Sequence, residues 1–584
     1  MGLKDFLVER SANYLFILAI TIILYYSSFW HGFIQDDFTF IERAKNNFNL
    51  YDIFISQFFN GAFYRPISRE IFYSVSYALF NLNPLGYHII SFAFFVSNCF
   101  LVYGIAERLL KRKDVALVAS IFYASRGAHF TAVYWIAGFQ EICMTFFVLC
   151  SVLLYLLYIE KKNKTLYISS LICSLFALMS KETSIILPLL ILLIEIHRGQ
   201  KFKISQNLKT LIYRISPFCL ITLIYISRLF LIHAMISSGA YKMKFSLDLL
   251  FQNLAFYITN SFNNTFEIFI LSMLILVAFL EIENRKCSLL SVIWFFVGLL
   301  PFIFLERHSY PYYLSLSLVG LSVLLSIGVK YCYDRVTLSR YVLTPILLVI
   351  FIISASGSIN AKENLSAITI QEKTACNILS DLKDNFSYFP DGSLIYIRNS
   401  DERMYWALGF GSAIRLYYGN NISIYFEGVT NEFPTKYSQI YYFNYDNDTL
   451  SFICKSEELK KSRVTFSEGW FGWEWWQGSP TRWISNNATM IVYSSQKNES
   501  TLSTEVLSAY KSRTLQVYLN DKLIHEQKIQ TKSMKLEIPI KLKKGENIIR
   551  FYTPEGCQRP CDISELKSID IRCLSFAFTN FTLS

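Results

Sequence analysis

The stretch YLFILAITIILYYSSFWHGFIQDDF, residues 14–38, joins an uncharged apolar run, Tyr14 to Trp30, to a pair of acids, Asp36-Asp37. The run follows Lys4, Glu9 and Arg10 and carries no small-residue cleavage site, so it reads as a retained signal-anchor. Runs of the same kind recur at roughly 87–107, 115–134, 137–159, 165–180, 184–197, 213–233, 266–283, 288–305, 311–330 and 340–357. Most are long enough to cross a hydrocarbon core of about 30 Å; 165–180 and 184–197 are short, as tilted or re-entrant segments are. The sequence therefore predicts about eleven transmembrane helices.

Composition agrees. Of 584 residues, 53% are apolar and only 17% charged, where a soluble domain is nearer a quarter charged. Mean hydropathy is +0.34. With 51 Phe and 38 Tyr against 23 Gly and 13 Pro, disordered and fibrous classes are excluded. The apolar runs stop near residue 357, and the remainder of the chain has ordinary soluble composition. The expected architecture is a polytopic α-helical membrane domain over 1–357, a small external α/β domain over 358–460, and an external β-sandwich over 461–584.

The net charge of +11 does not form a basic stripe interleaved with stacking aromatics, so a nucleic-acid partner is not expected. The Lys and Arg cluster instead between apolar runs. Lys111-Arg112-Lys113, Lys161-Lys162-Asn163-Lys164, His197 to Lys209, Asn284-Arg285-Lys286 and Lys330 to Arg340 all fall on one side, which the positive-inside rule makes cytoplasmic together with the N-terminus. An odd number of spans then places the tail outside. Seven of nine Asn-x-Ser/Thr sequons follow residue 360, which fits that placement.

The other side collects the chemistry. Its first loop carries Gln35-Asp36-Asp37-Phe38, then Tyr64-Arg65-Pro66-Ile67, then Pro84-Leu85-Gly86-Tyr87-His88. Later turns carry Trp135 to Glu141, Ser180-Lys181-Glu182-Thr183, and Glu306-Arg307-His308-Ser309-Tyr310. An ionisable group costs roughly 2.5–3.5 kcal/mol at the centre of a membrane helix and less toward the surface. Acids and cations from five distant segments at one membrane face therefore point to a shared polar site. Transfer of a sugar from a lipid-linked phosphate needs that combination. The phosphate leaves as an anion and wants cations, Arg above all for its bidentate fork; the acceptor hydroxyl wants a general base. Taken singly, each segment has a plain structural reading: an acidic pair capping a helix, an Arg snorkelling before Pro, or a local Lys-Glu pair.

Taken in order, these motifs resemble the GT-C superfamily of membrane glycosyltransferases. The likeness runs over about residues 13–330 and is nearest the protein O-mannosyltransferase-like branch, which includes the aminoarabinose transferases. Two positions depart from the family pattern: Phe139 stands where a basic residue is expected, and His308-Ser309 interrupts a motif that usually runs Arg-Tyr. The resemblance accordingly does not name the sugar. It implies inverting transfer from a polyprenyl- or dolichyl-phosphate monosaccharide to an acceptor hydroxyl on a protein, glycan or lipid. Asp36 would act as base, with Asp37 orienting it or exchanging the role. Arg65, Lys181 and Arg307 would hold the phosphate, Glu141 and Glu182 would bind sugar hydroxyls or fix Lys181, and His88 would bond phosphate or acceptor, with Tyr310 beside them. No metal is expected to be required, although hard oxygen ligands at Asp36 and Glu141 are of the kind that hold a divalent cation. The competing function is a transporter or flippase of polyprenyl-linked glycans. Such proteins typically show internal repeats and midplane sites, and no repeat is visible here.

In the tail, Leu394 to Ile397, Ile422 to Phe426 and Gln439 to Tyr445 read as strands alternating with helical stretches. From about 461 short strands and polar turns such as Asn520-Asp521 suggest a sandwich. Trp470, Trp473, Trp475, Trp476 and Trp483 suggest either sugar stacking or core packing, and packing is the simpler reading. Cys557 and Cys561 are spaced to close a small disulfide loop if the tail is outside, although pairing cannot be deduced from spacing. The tail's five cysteines, an odd number, leave at least one unpaired or paired elsewhere.

Overall fold

All eleven apolar runs fall on helices in the computed structural model, which describes residues 3–46, 49–61, 63–198, 204–232, 242–306, 308–335, 340–430, 434, 437–446, 448–455, 463–476, 479–494, 497–563 and 570–583. The chain divides into two compact units, Met1–Lys373 and Thr374–Ser584. The protein is a helical membrane protein with a β-rich C-terminal unit.

In the first unit, five helices are by themselves long and apolar enough to span a membrane: Ser11–Trp30, Pro84–Leu110, Ile136–Lys161, Lys209–Arg228 and Ser317–Arg335. The pair Leu247–Asn260 and Thr265–Ala278, bent by 96°, passes the same test jointly. Other predicted spans are broken where polar residues enter. The run 115–134 is Lys113–Ala124, a 3-10 turn at Gly127–His129 and a short helix Phe130–Tyr134. The last predicted span, 340–357, lies in a helix that continues to Leu365.

The helices approach closely where side chains vanish. A Cβ on Gly320 would stand 2.4 Å from the Ser291 carbonyl, and one on Gly328 2.2 Å from that of Leu274. Small residues at such crossings let membrane helices gain dispersion contacts that lipid cannot supply. Several polar groups inside the bundle are matched. The Trp294 indole donates to the Leu316 carbonyl at 3.0 Å, and Arg126 and Glu267, each 1% exposed, pair at 2.7 Å.

The second unit holds a four-stranded sheet in the order Ser423–Phe426, Ser393–Arg398, Gln439–Asp446, Thr449–Lys455. Its first two pairings are parallel, and parallel neighbours need a crossover. Helices Glu402–Ala407 and Ser412–Tyr418 provide one, the former capped by Asp401, whose carboxylate accepts from the Met404 N–H at 2.7 Å. Two five-stranded sheets complete the unit. Strand Met534–Leu542 alternates in the manner of a half-buried strand, turning Leu536, Ile538, Ile540 and Leu542 inward. The Asn520-Asp521 turn has φ of 47° and 68°, the left-handed pair that a two-residue hairpin demands.

Trp470 lies within this core. Its indole N–H donates to the Thr489 carbonyl at 2.8 Å, and its ring meets Phe466, Phe551, Phe578 and Phe581. Trp483 is buried as well. The side chains of Trp473, Trp475 and Trp476 lie outside the described residues.

The disulfide departs from the spacing-based expectation. Cys557 bonds Cys573, sixteen residues on, while Cys561 is unpaired and exposed. The antiparallel bridge between Gln558 and Leu574 lays these two segments side by side, whereas Cys561 is drawn into the turn Pro560–Asp562. Cross-linking a loop of this length is worth about 3 kcal/mol. Cys573→Ser should therefore lower the unfolding midpoint of the C-terminal unit, as should reductant on the unaltered chain. An unchanged thermal unfolding profile in both would remove the bond as a stabilising element.

Candidate active site

The acidic segment after the first helix is built to separate its two carboxylates. Gln35 has φ of 49°, a left-handed conformation costly for a residue with a side chain, of the kind that concentrates at functional sites. Asp36 and Asp37 then open the helix Asp36–Asn46, where the positive end of the helix dipole favours acids. Asp37 turns inward. It is fully buried and accepts from the Ile34 N–H at 3.1 Å and the Tyr73 hydroxyl at 2.7 Å. Burial pushes its carboxyl up to about 7. Asp36 turns the other way and lines a cavity of about 850 Å³. Its pKa is raised by burial, with Arg65, Arg69 and Arg43 opposing that shift.

Arg65 and Lys181 reach the same cavity, each in an ion pair. Pro66 restricts the conformation of the residue before it, and Arg65 adopts φ −135° and ψ 55°. The Ile67 N–H donates to the Met179 carbonyl at 3.2 Å, which ties the Arg65 segment to the Lys181 turn. The Arg65 guanidinium forks onto Glu182, with Nε donating to Oε2 at 2.9 Å, and a terminal N–H donates to Gln140 Oε1 at 2.6 Å. Arg65 and Lys181 together hold the Glu182 carboxyl down near 2, against burial that would raise it. Lys181 donates to Glu141 at 2.8 Å and rests against Tyr313, 4.6 Å from the ring centre.

The pairing differs from the one that sequence adjacency suggests. Glu182 does not fix Lys181; it holds Arg65, and Glu141 holds Lys181. Lys181 is extended, with φ −161° and ψ 139°, so it and its neighbour project to opposite sides. Glu141 also keeps Oε1 buried with no hydrogen-bond partner among the described residues. Tyr310 lines the cavity, its ring 5.4 Å from that of Tyr312. His88 does not line the cavity: it is buried behind the acidic segment, with Nε2 3.1 Å from the His31 carbonyl. Arg307 lies outside the described residues. Phe139 packs face to face on Phe72 at 3.9 Å.

Residues 65–227 match the model of the family described as dolichyl-phosphate-mannose-protein mannosyltransferase. That matched stretch holds Arg65, Glu141 and Lys181 of the cavity. Solved structures similar to this chain include ArnT from Cupriavidus metallidurans bound to undecaprenyl phosphate, 12% identical with a TM-score of 0.45, covering 68% of this chain and 84% of that one. Another is the Archaeoglobus fulgidus oligosaccharyltransferase tethered with an acceptor peptide, 12% identical with a TM-score of 0.43, covering 70% and 63%. A third is a family 35 carbohydrate binding module from an environmental isolate, 15% identical with a TM-score of 0.15, covering 21% and 93%. No curated protein matches the sequence.

Several residues in and around the cavity were not among those the sequence singled out as site residues. Gln140 sits beside Glu141 in an apolar helix and shows its role only through Arg65. His308 lines the cavity, and burial, with Lys181 and Arg65 adding, holds it down at about 4, neutral at pH 7. The helix Ala367–Asn385 contributes its first turns. Gln371 accepts from Gln35, and Glu372 accepts from His31 and from the Gly32 N–H. Burial alone would lower the His31 pKa, but Glu372 and Glu363 raise it above the ordinary value. These bonds fix the strand of chain that presents Asp36.

Proposed function

We propose that this protein is a glycosyltransferase of the GT-C kind that moves a monosaccharide from a polyprenyl- or dolichyl-phosphate donor to an acceptor hydroxyl at the extracytoplasmic face of its membrane, with inversion. One observation carries the reading: a half-buried carboxylate, Asp36, shares a cavity with Lys181 and Arg65. The description of the matched family supports a lipid-phosphate donor, and the five basic loops support an N-terminus and loops on the cytoplasmic side with the C-terminal unit opposite.

The reaction then runs as a displacement at the anomeric carbon. The acceptor hydroxyl gives its proton to Asp36 as its oxygen bonds to that carbon. The bond from carbon to phosphate oxygen breaks, and its electron pair leaves with the phosphate. Lys181 and Arg65, with Arg307, meet the growing charge on the phosphate; Glu141 holds Lys181 and presents its second oxygen to sugar hydroxyls; Glu182 and Gln140 set the Arg65 fork, and Tyr310 borders the sugar. Asp37 holds the acidic segment in place. A cation pair does the work a metal does elsewhere, so transfer should survive chelation by EDTA.

Purified protein in vesicles, given radiolabelled polyprenyl-phosphate sugars, should move label into a new glycosidic bond of opposite anomeric configuration. Label that crosses the vesicle membrane with no new bond would make the protein a transporter and end this reading.

A further inference from the structure

Between the first span and Asp36 stands a histidine with a carboxylate on each side of its ring. His31 Nδ1 is hydrogen-bonded to Glu372, and Nε2 stands 3.4 Å from Glu363. The two glutamates belong to different helices, Glu363 to Arg340–Leu365 and Glu372 to Ala367–Asn385. An ionised carboxylate only accepts, and a neutral imidazole has one N–H and one lone pair. Neutral, the ring satisfies one glutamate and turns a lone pair toward the other; as imidazolium it donates to both. His31 is 7% exposed, so a partner lost there is poorly replaced by water, and leaving a buried polar group unmatched costs about 1–3 kcal/mol.

The other neighbours of the ring hold it in that pose. Tyr134 meets it edge-on, with ring centres 5.1 Å apart. The Tyr134 hydroxyl lies 2.6 Å from Ser27 Oγ, which donates in turn to Glu363 at 3.1 Å. From the helix Pro84–Leu110, His88 Nε2 stands 3.1 Å from the His31 carbonyl. The backbone of His31 and both edges of its ring are thus fixed from four different helices.

The same glutamate reaches the chain that carries the base. The second oxygen of Glu372 accepts from the Gly32 N–H at 2.6 Å, and Gln371, one residue earlier, accepts from Gln35. One turn of helix therefore grips both ends of the segment His31 to Gln35, and Asp36 follows directly. Gln35, Asp36 and Gln371 all line the cavity. The segment needs such a grip, since Gln35 is held at φ 49°, a conformation that persists only where its surroundings enforce it. With His31 neutral, one of the two glutamates faces a lone pair, and the grip on the segment slackens.

We infer that His31, in its protonated form and clasped between Glu363 and Glu372, is a positioning residue for Asp36, and that sugar transfer depends on its charge. This rests on the glycosyltransferase reading above and adds what holds the base in place. The sign of the pH dependence follows. Burial alone would lower the His31 pKa, but the two glutamates raise it above 6.5. The clasp is complete below that raised value, and transfer is lost as pH rises through it.

The test follows transfer from radiolabelled polyprenyl-phosphate sugars against pH, with the full-length protein in vesicles. The unaltered protein should show an alkaline limb in kcat with its midpoint above 6.5, while KM for the lipid donor stays constant. His31→Gln should lower kcat about ten- to hundredfold, the cost of a misplaced reacting group, and remove the limb. His31→Arg, charged at every pH with more than one N–H to give, should recover much of kcat and also lack the limb. Glu372→Gln and Glu363→Gln should each move the limb to lower pH. Lys362 lines the cavity too, and burial lowers its pKa to about 8, so it is the competing source of such a limb. A limb that persists in His31→Arg and stays in place in Glu372→Gln belongs to another group and overturns the inference. A second measurement needs no turnover: in histidine-labelled protein, the NMR signal lost in His31→Arg should titrate above 6.5, and a ring already neutral at pH 6.5 would overturn the inference. Transfer with no alkaline limb would overturn it alone and leave the glycosyltransferase reading standing. Absence of any transfer by the unaltered protein would overturn that reading and this inference with it.

Discussion

Asp36→Asn should lower sugar transfer by about two to four orders of magnitude, the usual worth of a general base, with binding of the lipid phosphate little changed. The substitution keeps the size of the side chain and removes only its ability to take a proton. Asp37→Asn should behave differently. The Asp37 carboxylate accepts from the Ile34 N–H and the Tyr73 hydroxyl in a fully buried place, and an amide turned toward either donor leaves a polar group unmatched. The expected cost is about 1–3 kcal/mol of folding stability, read as a lower unfolding temperature. The pH profile separates the two further. A base must be ionised, so transfer is present above the Asp36 pKa and lost as pH falls through it. Burial raises that pKa above 3.8 against the pull of Arg65, Arg69 and Arg43, so the acidic limb of kcat/KM should lie above the ordinary aspartate value and vanish in the Asn variant. Equal turnover by Asp36→Asn and the unaltered enzyme would remove Asp36 as base.

What the sequence made legible was the periphery of the site. Charges are expensive beside apolar runs, so their recurrence at span ends is a strong signal whatever they touch, and Asp36, Arg65, Glu141, Lys181 and Tyr310 do line one cavity. Who pairs with whom was not legible. Lys181 and Glu182 are neighbours in the chain, yet an extended residue between a helix and a 3-10 turn sends them apart, and only the fold brings Glu141 and Arg65 within reach. His88 has the same appearance in sequence as a ligand, but its helix buries it against the His31 carbonyl. Lys362 was missed for the opposite reason. It follows the last apolar run, where a lysine reads as the start of a soluble tail, and only the continuation of the helix to Leu365 keeps it on the cavity. The Cys557–Cys573 bond depends on a single bridge between Gln558 and Leu574, a pairing with no local pattern to announce it.

The Arg65–Glu182 pair offers the second large effect, because its two members have different costs. Glu182 is 6% exposed and Arg65 7%, so removing either leaves a charge buried without its partner, at about 3–5 kcal/mol. The pKa of Glu182 gives a similar figure: a fall from 4.5 to about 2 is worth about 3 kcal/mol at roughly 1.4 kcal/mol per unit. The sign follows from the depressed value. The contribution is fully present above pH 4.5, the unfolded value, and is lost as pH falls toward 2. At neutral pH, Arg65→Met and Glu182→Met should each lower the unfolding temperature markedly. The double variant should recover much of that loss, since replacing a buried ion pair by apolar residues of similar volume is often neutral. It should not recover sugar transfer, because the Arg65 cation proposed to meet the donor phosphate is gone. A double variant that regained both stability and turnover would show Arg65 to be a packing element only, and the phosphate would have to be held by Lys181 with other cations. One that regained neither would place the two residues in separate networks, contrary to the bidentate contact between them.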